Sequence, residues 1–196
     1  EEELSRCRLL TLFTTWGVCA CMMERGHVLN GRDALIGEIG HMQIADCPEK
    51  LCGCGKRHCL ESAVRLDHLH QLLMTEKASW LEQEPLTFQS LFTHSRQGDP
   101  AARKIVEYLA RCYASALHNL SLCYNQEAVV FQGDMAWADP YFDQCLKREL
   151  DEFRYYPEGE WLTTRYDRRE LSTLAARGDA ALLRKKYFAA MSYEDD

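Results

Sequence analysis

Sulfur and imidazole side chains are concentrated in residues 40–61, which read GHMQIADCPEKLCGCGKRHCLE. This stretch holds four of the chain's ten cysteines and two of its seven histidines. Cys52 and Cys54 are separated by one residue, so they cannot readily bond to each other in normal disulfide geometry. Both can ligate one ion, and three thiolates with one imidazole form the closed tetrahedral set of structural zinc.

The spacing places four candidate zinc ligands in this loop: His41, Cys52, Cys54 and Cys59. Gly53 and Gly55 free the backbone between the thiols to fold around an ion. Because a catalytic zinc keeps an open coordination position, four protein ligands predict one structural ion per chain. From spacing alone two alternatives stay open. Cys47 or His58 could also be ligands, and the loop could be reduced and free of metal.

Strands are predicted on both sides of the loop from short apolar runs bounded by turn residues. Residues 7–13, CRLLTLF, and 18–23, VCACMM, flank a TTWG turn. A second turn at 24–26 leads to a short strand at 27–29. Two later runs predict further strands, EAVVFQGD at 127–134 and WLTTRY at 161–166.

Helices are predicted where apolar residues recur at helical spacing. The clearest one follows Asp99-Pro100 and extends to about Tyr124, because aspartate suits the N-cap and proline the first helical position. Asp139-Pro140 repeats this pattern for a helix to about Glu152. Two more helices are expected, at 59–75 and after an Asp179 N-cap. Antiparallel strands followed by helices and single strands indicate a layered α/β domain.

Composition fits a globular protein of ordinary domain size, with 196 residues, 46% hydrophobic and 27% charged. No apolar run approaches the roughly 20 residues that span a bilayer, and the chain opens with glutamates rather than a secretory signal. A net charge of −7 disfavours contact with nucleic acid. The cysteine usage favours a reduced, cytoplasmic protein. We expect four cysteines to be small buried residues, namely Cys19, Cys21, Cys112 and Cys123.

The stretch from Gly37, GEIGHMQI…CGCGKRHCLE, resembles the signature of the ROK family of sugar-responsive repressors and sugar kinases. That signature reads GEIGH, a variable loop, CxCGxxGC and then LE. The resemblance implies zinc on four residues, His41, Cys52, Cys54 and Cys59. His58 stands where the family usually has glycine, and Cys47 has no counterpart among the family's ligands.

The same resemblance implies that three residues contact sugar hydroxyls, namely Glu38, His41 and Glu61. The chemistry is coherent, because a carboxylate accepts charge-assisted hydrogen bonds from a diol. A histidine with one nitrogen on zinc has its other nitrogen held in a fixed orientation, available to a ligand. Zinc would then be a structural brace that orients a sugar-binding residue.

The resemblance also implies an architecture. Residues 1–191 would form the C-terminal lobe of the actin-like, ribonuclease-H-like fold of sugar kinases, with the structural zinc loop at 41–59 inserted. Residues 192–196 would be a polar tail. We expect the family's N-terminal lobe, with its catalytic aspartate, and the repressors' winged helix-turn-helix to be absent from this chain.

A Gly-rich phosphate turn of ROK kinases, GTGVGAG, corresponds here to TWGVCAC at 15–21. Thr15, Cys19 and Cys21 stand where glycines would be, and Trp16 replaces a small residue. Such glycines let backbone N–H groups approach phosphate, and a non-glycine residue at a left-handed position costs about 1–2 kcal/mol. A later family glycine pair appears as Gln132-Gly133. These changes predict loss of nucleotide binding.

Three functions follow from these motifs. The first is the sugar-sensing and oligomerising lobe of a transcriptional regulator of the N-acetylglucosamine/xylose-repressor type, without catalysis. It would bind a sugar or sugar phosphate, reach DNA only through the missing N-terminal domain, avoid membranes and form a homodimer or tetramer. The alternative is an ATP-dependent sugar kinase. The third is a protein-interaction module, in which the long helix 99–124 could serve a dimer.

Overall fold

Five β-strands form one mixed sheet in the computed structural model, which describes residues 7–33, 35–45, 50–153 and 162–188. The strands are β1 (Arg8–Thr14), β2 (Val18–Glu24), β3 (His27–Val28), β4 (Ala128–Gly133) and β5 (Thr163–Asp167). Their order in the sheet is β3-β2-β1-β4-β5. The pairs β1–β2 and β2–β3 are antiparallel, and β1–β4 and β4–β5 are parallel. All five strands were predicted, and Trp161 of the last predicted run lies outside the described residues.

Side chains alternate between the two faces of the sheet, as the period of an extended chain requires. Leu10 and Leu12 of β1 are fully buried on the face that packs against the helices. Val18 of β2, which lies on the same face, is also buried. The opposite face of β1 and β2 is open to solvent or only half-buried.

This alternation corrects the prediction that four cysteines are buried. Cys19 and Cys21 lie on the open face of β2 and are exposed. Cys123, near the end of the longest helix, is exposed as well, whereas Cys112 is buried. An apolar run therefore does not reveal which face of a half-buried strand or helix each thiol occupies.

The described part of the chain contains six α-helices and three short 3-10 helices. The α-helices are α1 (Leu60–Val64), α2 (Leu66–Thr75), α3 (Phe88–Gln97), α4 (Pro100–Tyr124), α5 (Pro140–Glu152) and α6 (Leu171–Phe188). The predicted N-caps of α4 and α5 are confirmed. The Asp99 carboxylate accepts the Ala102 N–H at 2.8 Å, and the Asp139 carboxylate accepts the Phe142 N–H at 2.8 Å. None of these helices, within the described residues, is long and apolar enough to cross a bilayer.

The helices differ from the predictions in three places. The predicted helix 59–75 is broken at Arg65, whose backbone is extended with φ −66° and ψ 141°. Helix α3 was not predicted, although Thr87 and Ser90 form a reciprocal capping box at its start. Asp179 is not an N-cap, because α6 already begins at Leu171 and continues through it.

Helix α4 is the centre of the core. Tyr113 is fully buried and makes edge-on ring contacts with Phe131 of β4 and Phe142 of α5, with ring centroids 5.8 and 6.2 Å apart. The Tyr113 hydroxyl shares a buried 3.0 Å hydrogen bond with Thr14 Oγ1 at the end of β1. This bond holds the carboxyl end of β1, where the β1–β2 turn begins, against the central helix.

Candidate metal centre and adjoining clefts

Residues 37–41, the GEIGH segment, approach β2 closely through two glycines. Gly37 has φ of +89°, and a Cβ atom there would lie 2.1 Å from the Ala20 carbonyl oxygen. A Cβ atom on Gly40 would lie 2.4 Å from the Val18 carbonyl oxygen. Neither position accepts a side chain, so these glycines fix the segment with its candidate sugar-binding residues beside β2.

The cysteine-rich loop is held by a tight backbone turn. The Cys52 carbonyl accepts the Gly55 N–H at 2.9 Å, and the Cys52 N–H donates to the Lys56 carbonyl at 2.8 Å. At the far end of the loop, the Leu60 N–H donates to the Met42 carbonyl at 2.9 Å. These bonds return the chain to the GEIGH segment immediately before α1 begins.

The four predicted ligands come together at this point, and one ligand atom from each lies within 4.8 Å of the others. The His41 Nδ1 to Cys52 Sγ distance is 3.6 Å, and the Cys54 Sγ to Cys59 Sγ distance is 3.7 Å. Around a tetrahedral zinc, with bonds of about 2.3 Å to sulfur and about 2.05 Å to nitrogen, these separations are about 3.6 and about 3.8 Å. The donor set therefore fits zinc, while 3.7 Å is far longer than a disulfide bond.

The pKa values of two thiols in the cluster shift in opposite directions. Burial raises the pKa of the Cys59 thiol to about 12, and the neighbouring Cys54 and Cys52 sulfurs add to the rise. A hydrogen bond from the Lys56 backbone lowers the pKa of the exposed Cys54 thiol. Three sulfurs this close repel one another as thiolates, so a bound cation is the natural means of deprotonating all three.

Glu38 lies beside the His41 ring nitrogen that points away from the cysteine sulfurs. The His41 Nε2 to Glu38 Oε2 distance is 3.9 Å, while Nδ1 faces the sulfur cluster. A carboxylate near the free nitrogen of a metal-ligating histidine is the usual outer shell of such sites. The imidazole thus joins the cluster of candidate ligands, His41, Cys52, Cys54 and Cys59, to a carboxylate that is half-exposed to solvent.

Glu61, the second residue of α1, lies beside both the cluster of candidate ligands and the β1–β2 turn. Its Oε1 is 3.9 Å from Cys52 Sγ. Its Oε2 is 2.7 Å from the place where a Cβ atom on Gly17 would be, and 3.3 Å from the corresponding position on Gly40. The side chain therefore occupies space that two glycines leave open.

The three predicted sugar-binding residues border two different clefts. Glu38 and His41 line a cleft of about 640 Å³ together with Cys54 and Lys56 of the loop. Glu61 lines a second cleft, of about 380 Å³. The structure thus brings Glu38 and His41 together and separates them from the opening that Glu61 faces.

The second cleft contains residues that the sequence did not single out as ligand contacts. It extends from the β1–β2 turn at 14–18 to Arg65, Leu66 and Asp67 at the break between α1 and α2. Arg65 Nε lies 3.3 Å from Asp67 Oδ1, so this wall of the cleft carries an ion pair. Only the interruption of the predicted helix places these two charges here, and no sequence signal marked that break.

The turn that replaces the family's phosphate turn is unstrained. Positive φ angles occur at four described non-glycine residues, Arg25, His58, Lys77 and Asn125. Thr15, Trp16, Cys19 and Cys21 are not among them, so the expectation of a left-handed penalty at these positions is wrong. Gly133 does require glycine, because it has φ of +70° and a Cβ atom would lie 2.1 Å from the Thr14 carbonyl oxygen.

The sequence model of the ROK family matches residues 6–186, so the chain belongs to the ROK family. Its mixed α/β fold is that of ROK sugar kinases, of the actin-like ATPase type. The structure of a ROK hexokinase from Thermus thermophilus superposes with a TM-score of 0.64 at 25% identity. That match covers 84% of this chain and 53% of the hexokinase.

Curated relatives include both repressors and kinases. The chain is 27% identical over 147 residues to the DNA-binding transcriptional dual regulator NagC of Escherichia coli K12, covering 70% of this chain and 36% of NagC. It is 29% identical over 130 residues to an N-acetylmannosamine kinase of Yersinia pestis, covering 66% of this chain and 42% of the kinase. The matched segment thus spans less than half the length of either relative.

Proposed function

We propose that this chain is the zinc-containing, sugar-sensing and oligomerising C-terminal lobe of a ROK-family transcriptional regulator of the NagC type. The observation that carries the metal- and sugar-binding part of the proposal is the double role available to His41. One ring nitrogen faces three cysteine sulfurs at a separation suited to zinc, and the other faces Glu38. The domain comprises residues 1–191 with the zinc loop at 41–59, followed by a polar tail at 192–196.

His41, Cys52, Cys54 and Cys59 would hold zinc in a structural rather than a catalytic role. Four protein ligands leave no open position for substrate, so the ion supplies rigidity and not Lewis-acid chemistry. The residues of this chain do the recognition. Ligation through Nδ1 fixes the imidazole plane, which leaves Nε2 and the Glu38 carboxylate directed at a sugar diol.

Glu61 contributes the third sugar contact from the opposite side of the metal cluster. Its carboxylate accepts hydrogen bonds from hydroxyl groups. These bonds are stronger than hydrogen bonds between neutral groups because the acceptor is charged. The sugar or sugar phosphate binds where this lobe faces the N-terminal lobe, so that both clefts contribute to one site in the complete protein. Binding shifts the equilibrium of the parent towards or away from the state that binds DNA through its N-terminal winged helix-turn-helix.

Trp16 and the missing glycines support sensing over catalysis. A bulky indole follows Thr15 in the turn where ROK kinases have small residues, and it crowds the approach of phosphate to the backbone. The alternative function is an ATP-dependent sugar kinase. It is favoured by the N-acetylmannosamine kinase relatives and by the ordinary backbone angles of the turn.

Two measurements on the full-length parent decide between these functions. Calorimetry with glucose, xylose, N-acetylglucosamine and N-acetylmannosamine, and with the 6-phosphates of all but xylose, tests sensing. A coupled ADP-release assay with the same unphosphorylated sugars tests phosphoryl transfer. We expect binding of at least one sugar and no ADP release. Turnover would establish the kinase, and no binding by any sugar would argue against both functions.

The regulator is expected to be cytoplasmic, where cysteines remain reduced and available to zinc. We expect it to be a homodimer or tetramer, since symmetric oligomers match palindromic operators. Light scattering on the full-length protein measures the assembly directly. A monomer at micromolar concentration would remove the oligomerising part of the proposal and leave the sensing part intact.

A further inference from the structure

Trp16 is the most exposed large hydrophobic side chain in the described part of the protein, with 99% of its surface open to solvent. It stands in the β1–β2 turn, between the buried residues Thr14 and Val18. Exposing an entire indole in water costs free energy that burial against a ligand would recover. The ring is therefore open on both faces to packing by a ligand.

The surroundings of Trp16 indicate what covers it. The residue lines the 380 Å³ cleft whose wall includes the Glu61 carboxylate and the Arg65–Asp67 ion pair. The adjoining Gly17 lies directly against Glu61 Oε2, so the indole and this carboxylate border the same opening. Within the described residues, Glu61 forms no ion pair; its Oε1 faces Cys52 Sγ at 3.9 Å, and its Oε2 is the oxygen offered to hydroxyl donors.

An apolar ring face beside a carboxylate oxygen matches the chemistry of a sugar ring. A pyranose presents C–H groups on one face of its ring and hydroxyl groups around its edge. An indole packs on the C–H face, and a carboxylate accepts hydrogen bonds from the edge hydroxyls. A cleft of about 380 Å³ has room for a monosaccharide.

We propose that Trp16 is the sugar-stacking residue of this protein, covering the pyranose ring whose edge hydroxyls Glu61 binds. This inference rests on the sugar-binding function proposed above and adds to it a residue gained at the place where kinases hold phosphate. Tryptophan in place of the small residue of kinases then provides a contact for sugar where kinases bind phosphate, rather than only removing a nucleotide site.

The test is calorimetry on the full-length protein with whichever sugar of the panel binds the wild type. Because Trp16 is fully exposed, Trp16→Ala leaves folding unchanged, and thermal unfolding without sugar verifies this. We expect Trp16→Ala to weaken sugar binding about tenfold, the effect of removing one stacked ring face, while Trp16→Phe recovers most of the affinity. Trp137→Ala is the control, because it also removes an indole but Trp137 does not line the cleft. Its ring packs against the Arg168 guanidinium instead.

Tryptophan emission gives a second readout. Sugar binding should change the emission of the wild type and of Trp137→Phe, but leave the emission of Trp16→Phe unchanged although that variant still binds. Equal affinity in wild type and Trp16→Ala would overturn the stacking role and leave the sensing function standing. No sugar binding by the wild type would overturn both.

Discussion

An oxygen of the Glu61 carboxylate lies 2.7 Å from the position that a Cβ atom on Gly17 would occupy. The two residues are 44 positions apart in sequence numbering, and their approach joins the β1–β2 turn to the start of α1. Gly17 matches a glycine of the family's phosphate turn, but its role here is to leave room for a side chain. The retained glycine therefore positions a candidate sugar ligand whether or not nucleotide binds.

Replacing Gly17 with alanine should displace Glu61 and weaken sugar binding about tenfold, because one charge-assisted hydrogen-bond acceptor moves away from the ligand. The melting temperature should change little, since the contact is with the far end of a flexible side chain. Calorimetry and thermal unfolding measure the two effects. Gly178→Ala is the control, because nothing lies within 4 Å of the added atom there. Unchanged affinity in Gly17→Ala would show that Glu61 is not positioned by this contact.

The metal cluster predicts one zinc per chain in freshly purified protein, measured by elemental analysis. Cys54→Ala should lose the zinc and lower the melting temperature by about 5 °C or more, because metal binding contributes directly to the stability of such loops. Cys123→Ala removes an exposed thiol of α4 that faces no cluster and should retain both zinc and stability. If wild-type protein contained no zinc and melted at the same temperature as Cys54→Ala, a structural role for zinc would be contradicted.

Acid should destabilise the protein through Asp167. A hydrogen bond from the Arg169 guanidinium lowers the pKa of this carboxyl from 3.8 to about 2. A depressed folded-state pKa contributes stability that is present above about pH 4 and is lost as the pH falls towards 2. Since Arg169 is half-exposed, solvent screening reduces the contribution to about 1 kcal/mol.

Asp167→Asn should therefore be about 1 kcal/mol less stable than wild type at pH 7, and the difference should shrink towards pH 2. Urea unfolding of both proteins at each pH gives this difference, in which any loss of zinc in acid cancels. Asp33→Asn, at an exposed carboxylate, is the control. If the difference in unfolding free energy between Asp167→Asn and wild type persisted at low pH, the charge of the Asp167 carboxylate would not be its cause.

His58 has a left-handed backbone, with φ of +66°, at the position where the family signature has glycine. His58→Gly should stabilise the zinc-loaded protein by up to about 1 kcal/mol, because glycine adopts this conformation without steric cost. Arg57→Gly, one residue earlier and without a positive φ, should not stabilise it. Urea unfolding measures both variants. Destabilisation by His58→Gly would show that contacts of the imidazole outweigh the backbone strain.

The clustering of the candidate ligands could be predicted from the sequence and its family resemblance because much of it is local. Cys52, Cys54 and Cys59 lie within eight positions of one another, and the glycines around them signal a tight turn. The N-caps at Asp99 and Asp139 were predictable for the same reason, since each bond spans three residues. Local chemistry of this kind needs no knowledge of the rest of the fold.

The environment of the site depends on contacts between distant segments, and these could not be predicted. The approach of Glu61 to Gly17 follows from the packing of α1 beside α4 and the GEIGH segment. The Arg65–Asp67 pair borders the same cleft only because an extended residue interrupts the predicted helix. The exposure of Cys19 and Cys21 follows from which face of β2 meets the helices. No periodicity in the sequence distinguishes these outcomes.

The sheet ends in short edge strands, and this limits how copies of the protein can associate. On one side β3 has two residues, and on the other β5 has five, with charged Arg165 at its centre. Such edges offer a neighbouring chain few unpaired backbone groups, which protects against aggregation by sheet extension. A dimer or tetramer of this protein would therefore be built from helix and loop surfaces, whose side chains can select their own copies over other proteins.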